Sequence, residues 1–157
     1  MNEAIHSPDL ISMLIEIIKQ EKHPVNWRAA WIVDHIAHEK LELIDPYLTE
    51  LVEFMQTTDS NSIKRHIIRM LAYSKRKDLM DGNIVNISFQ WLQSSTTPIA
   101  VKVFCMDIIS LVASDYPELI TEFLLVLDDI SKTGSTGEKN KASKLITKYA
   151  KQGFTIY

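Results

Sequence analysis

The chain has 157 residues, a formal net charge of -3, four glycines and five prolines, with 46% of its residues hydrophobic. That length suffices for one buried core, and the scarcity of turn residues excludes a disordered or all-β chain. The weak negative charge excludes a bulk electrostatic pull on nucleic acid, and a single cysteine, Cys105, excludes an internal disulfide framework.

Ser7-Pro8 reads as an N-cap followed by proline at the first helical position. Leu10, Leu14 and Ile18, with Ile11 and Ile15, then recur at helical spacing, so a first helix is expected over 8–22. Nothing in its sequence has the basic start and small-residue cleavage site of a secretory leader. No apolar run in the chain approaches the roughly 20 residues of a membrane span, so the expectation is a cytoplasmic chain with no membrane partner. His23-Pro24 breaks the pattern, and a second helix runs from about Asn26 to His38.

Asp45-Pro46 opens the next helix as cap and first residue, with Leu48, Leu51, Val52 and Met55 inward. The polar stretch 58–62 leads to Ile63, Ile67, Met70 and Leu71. Asp81-Gly82-Asn83 precedes Ile84, Ile87, Trp91 and Leu92. Ser94 to Pro98 precedes Val101, Val103, Cys105, Met106, Ile108, Ile109 and Val112, where Cys105 reads as a buried thiol. Asp115 is expected to cap a helix with Pro117 in its first turn and Ile120, Phe123, Leu124 and Leu127 inward. Thr133 to Gly137 reads as a flexible linker before a last, lysine-rich helix over 138–151.

The helices repeat. Leu48, Leu51 and Met55 map onto Ile84, Ile87 and Trp91 and then onto Ile120, Phe123 and Leu127, a spacing of 36 residues (48 to 84, 84 to 120). The alternate helices align better at 34 (29 to 63, 33 to 67), which sets Ala29, Val33, Ile36 and Ala37 on Ile63, Ile67, Met70 and Leu71. A lone hairpin cannot bury both its apolar faces, whereas stacked hairpins bury a continuous core and need polar end units. The expected fold is therefore all-α, about eight helices in one domain over 1–157, with hairpins at 26–57, 62–93 and 98–131 between capping helices at 8–22 and 138–151.

Helices alternating at this spacing, with Arg28-Ala29-Ala30 opening a first helix and Asp34 within it, resemble HEAT and armadillo repeats over residues 26 to about 130. Lys64-Arg65-His66 stands where that pattern carries alanines. The resemblance implies a short right-handed α-α superhelix acting as a scaffold without cofactors, binding partners rather than doing chemistry.

Trp27, Trp31, Asp34, His35 and His38 share the helix face opposite Ala29, Val33, Ile36 and Ala37. Exposed tryptophan beside polar groups marks binding surfaces, because it offers contact area at low entropy cost. Between Ser60 and Lys77 every charged side chain is basic (Lys64, Arg65, Arg69, Lys75, Arg76, Lys77), with Arg65, Arg69 and Arg76 assigned to one face. The 34-residue alignment sets Trp31 and His35 against Arg65 and Arg69, a face suited to an acidic or mixed-charge protein segment. The binding set is thus Trp27, Trp31, Asp34, His35, Arg65 and Arg69, with no catalytic or metal set. A metal at Asp34, His35, His38 and His66 lacks the fixed ligands and supporting shell that zinc needs.

The alternative is nucleic-acid binding. Trp27, Trp31, Asp34 and Arg65 resemble the aromatic, basic and aspartate residues of DNA-alkylation-repeat proteins, which excise damaged bases; the net charge disfavours it. The acidic run between Lys102 and Lys132 (Asp107, Asp115, Glu118, Glu122, Asp128, Asp129) is expected either to pair with the basic second repeat or to promote head-to-tail self-association.

Overall fold

The protein is described here by a computed structural model covering residues 8–20 and 22–156; Ser7, expected to cap the first helix, lies outside the described residues. Among them are eight helices of two turns or more and no strand. They are α1 (Pro8–Lys19), α2 (Val25–Glu39), α4 (Leu48–Met55), α5 (Asn61–Ser74), α6 (Gly82–Gln93), α7 (Ile99–Ala113), α8 (Leu119–Thr133) and α9 (Thr136–Lys151). A single turn, α3 (Leu41–Ile44), and a 3-10 turn over Asp45–Tyr47 precede α4. No helix among the described residues is long and apolar enough to cross a membrane.

The chain divides into two compact units with the boundary between Leu79 and Met80. In the first unit α2 packs closely on α1 and α5, and α4 packs on α5. Ala29, Val33, Ile36 and Ala37 are buried, as are Ile63, Ile67, Met70 and Leu71, so these eight positions share the inward role that the 34-residue alignment gives them. Lys19 donates to Glu50 at 2.8 Å, tying α1 to α4.

In the second unit α6 packs on α7, α8 packs on α9, and α9 also reaches α7. Phe123 of α8 is fully buried and meets Phe89 of α6 and Tyr149 of α9 edge to face, with ring centroids 6.1 and 6.0 Å apart. Edge-to-face contact sets the positive rim of one ring on the negative face of the next. Tyr149 donates its hydroxyl to Ser110 at 3.1 Å, which satisfies the buried phenol.

The close pairs run one helix earlier than the expected hairpins: α1–α2, α4–α5, α6–α7 and α8–α9. The expected hairpin at 62–93 therefore divides between the two units. Between α2 and α4, α3 and the 3-10 turn intervene.

Local chemistry moves several expected boundaries. Asp45 lies in the 3-10 turn and makes no cap; its carboxylate receives Arg76 instead, at 2.9 Å. Asp81 does cap α6, accepting from the Ile84 amide at 3.0 Å. Asp115 and Pro117 precede α8, which starts at Leu119. The inward face of α6 is rotated from the expected one: Ile84, Val85, Ser88, Phe89 and Leu92 are buried, whereas Ile87 and Trp91 are half-buried. Phe89, turned toward Phe123, fills the space.

The expected flexible linker is the sharpest correction. Ser135 accepts from the Glu138 amide while the Glu138 carboxylate accepts from the Ser135 amide at 2.6 Å, a reciprocal capping box. The helix therefore starts at Thr136, and only Gly134 and Ser135 separate α8 from α9. A Cβ at Gly134 would lie 2.7 Å from the Ile130 carbonyl oxygen, so the turn has no room for a side chain.

Candidate interaction face

Helix α2 places small and branched residues inward, which leaves its larger rings outside. Ala29, Ala30, Val33, Ile36 and Ala37 are buried, Trp31 is 42% exposed, His38 is exposed, and Trp27 and His35 are half-buried. Trp31 and His35, one turn apart, lie with ring centroids 4.2 Å apart, and His35 Nδ1 is 3.1 Å from the Trp31 carbonyl oxygen. The indole is thus held by its own helix while one side remains open to solvent.

Asp34 does not join that face. Its side chain is 0% exposed, and its Oδ2 receives His66 Nδ1 at 2.8 Å and Arg69 Nη1 at 3.2 Å from α5. The carboxylate selects the tautomer in which Nδ1 carries the proton. Asp34 Oδ1 and His66 Nε2 remain buried without a protein partner among the described residues, which raises the cost of burying the pair. The aspartate expected on the binding face is therefore an internal brace between α2 and α5. His66, weighed only as a third metal ligand, is the residue that anchors it.

The brace reaches the surface through Arg69, whose side chain is 33% exposed. Its second nitrogen donates to the Tyr73 hydroxyl at 3.0 Å, and its guanidinium lies 5.1 Å from the Tyr73 ring centre. The Tyr73 hydrogen bond, then the Asp34 charge, raise the arginine pKa further above its ordinary value against the opposing effect of burial. Tyr73 also meets His38 of α2, with centroids 5.2 Å apart. Tyr73 was missed in the sequence, although Arg69 and Tyr73 stand at i, i+4, the spacing that places side chains together on a helix.

Arg65 is exposed one turn before Arg69. Arg76 leaves the expected stripe, because α5 ends at Ser74 and Lys75 adopts the left-handed conformation. It pairs with Asp45 and Asp78, at 2.9 and 2.8 Å. The outer face of α2 and α5 thus carries Trp31, His35, His38, Arg65, Arg69 and Tyr73, with Trp27 at half burial. Its histidines stack on separate aromatic rings while His66 is held inside, so they do not converge on one point. Among the described residues no three His, Cys, Asp or Glu side chains are grouped as a metal ion requires.

Two acids of the third repeat pair within their own unit. Asp107 meets Lys141 of the last helix at 2.6 Å, and Asp128 meets Lys132 at 2.9 Å. The Cys105 thiol is buried and its pKa is pushed up to about 12 by that burial. Such a thiol is packing material and not a nucleophile.

Alternating helices that share an inward pattern define a helical-repeat protein. The chain belongs to the HEAT repeat domain family, whose model matches residues 1–148. No curated protein and no solved structure matches the chain.

Proposed function

We propose that this protein is a non-catalytic adaptor that binds another protein through the outer face of α2 and α5. The observation that carries the reading is Trp31, 42% exposed beside His35 and supported from within by the Asp34–His66–Arg69 brace. A preset aromatic ring loses little entropy on binding, and adjacent guanidinium groups favour carboxylate-bearing partners. Family membership supports a scaffold role. The nucleic-acid alternative loses support because the aspartate it requires on the aromatic face points inward.

The test compares affinity capture from the native host by wild-type protein, by Trp31→Ala/Arg65→Glu, and by Lys144→Glu as a control on the exposed part of α9. The reading expects a set of proteins retained by the wild type and the control and lost by the double variant. Identical captures would overturn it. Salt-dependent binding to duplex DNA, abolished by the same double variant, would favour the alternative.

A further inference from the structure

Resting on that reading, we infer that the α2–α5 face is complementary to α8 of a second copy of the chain, so that the protein associates with itself. Glu118, Glu122, Leu125 and Asp129 follow one another at intervals of four, three and four residues (118, 122, 125, 129), which places them along one side of α8 and the turn before it. All four are exposed, Leu125 to 59%, and nearby Tyr116 is 56% exposed. Glu118, Glu122 and Asp129 make no ion pair among the described residues. The neighbouring carboxylates are already engaged: Asp107 with Lys141, Asp128 with Lys132, and Glu138 with Lys102. The stripe is acidic at both ends with an apolar residue between.

The α2–α5 face has the opposite arrangement. Arg65 and Arg69 are one turn apart on α5, Trp31 is exposed on the adjoining α2 one turn before Asp34, and Asp34, the carboxylate between the two helices, is buried and paired with Arg69. A scattered exposed leucine needs no explanation. A leucine between unpaired acids on α8, in a chain that also exposes a tryptophan on α2 and the Arg65 guanidinium on the adjoining α5, gives two surfaces of opposite charge that each carry an apolar side chain. The chain's net charge of only -3 opposes association weakly. The two surfaces are different patches, so the contact is heterologous.

Sedimentation velocity of the full chain, from micromolar to millimolar concentration and at low and high salt, reads the contact directly. The wild type is expected to associate with concentration, less so at high salt. Arg65→Glu and Glu122→Lys, both at exposed positions, should each weaken association by about tenfold or more. Each variant retains one intact surface, so an equimolar mixture should recover a dimer that neither forms alone. A wild type that stays monomeric, variants that associate like the wild type, or a mixture that stays monomeric would each overturn the inference. A monomeric wild type whose captured partners still depend on Trp31 and Arg65 would do so while leaving the adaptor reading intact.

Discussion

Between α2 and α5 the first unit buries a carboxylate, an imidazole and part of a guanidinium, whereas between α6, α8 and α9 the second buries three aromatic rings. The aromatic arrangement contributes dispersion and area removed from water, and its strength depends on how well its volume is filled. The polar one contributes little net stability, because desolvation offsets much of the attraction. What it fixes is orientation, since hydrogen bonds from two residues of α5 converge on one oxygen of α2. The polar brace lies under the exposed aromatic face and reaches it through Arg69 and Tyr73.

This contrast predicts different responses to substitution. The largest loss is expected for Phe123→Ala, which removes the ring in contact with both Phe89 and Tyr149. Truncating a buried phenylalanine costs about 3–5 kcal/mol, readable by urea unfolding. Asp34→Ala should cost about 3 kcal/mol, because it strands His66 and frees Arg69. Here the contrast sharpens: Asp34→Leu combined with His66→Leu should restore most of that stability while weakening binding through Trp31 and Arg69. No apolar pair substitution should be needed to explain Phe123. A double variant as unstable as Asp34→Ala would show that the brace is a net source of stability.

Smaller effects come from the margins. Ser135→Ala should cost about 1 kcal/mol through loss of the capping box, with faster amide exchange confined to the first turn of α9. Cys105 gives a pH dependence. Its folded pKa of about 12 lies above the ordinary value of 9.0, so above pH 9 the unfolded chain releases a proton that the folded one keeps. Its contribution to stability is intact below pH 9 and is lost as pH rises toward 12. Cys105→Ala should flatten that decline in urea titrations across this range.

The helical fold was legible because apolar residues recur at helical spacing, and the 34-residue alignment already placed Ala29, Val33, Ile36 and Ala37 on the inward face. The rotation of α6 was not, because Ile87 and Phe89 are both apolar and periodicity cannot choose between them; the position of Phe123 chooses. The start of α9 was legible in Ser135-Thr136-Gly137-Glu138 but obscured by its two glycines, which read as a linker. The candidate face was half legible. Trp31 and Arg65 are exposed and His35 and Arg69 half-buried, but the inward turn of Asp34 depends on His66, a residue 32 positions away whose pairing no local pattern encodes. Tyr73 stands among basic residues and carries no charge of its own, so only its i, i+4 spacing from Arg69 marks it in the sequence.

The central claim is that the α2–α5 face is covered by protein in the bound state. Hydroxyl-radical footprinting of Trp31, free and in complex with the partners that the wild type captures, tests it residue by residue. Oxidation of Trp31 should fall by about tenfold on binding, as expected for a tryptophan at the centre of an interface, while the half-buried Trp91 of the second unit changes little. Equal oxidation of Trp31 in the free and bound protein would contradict the account.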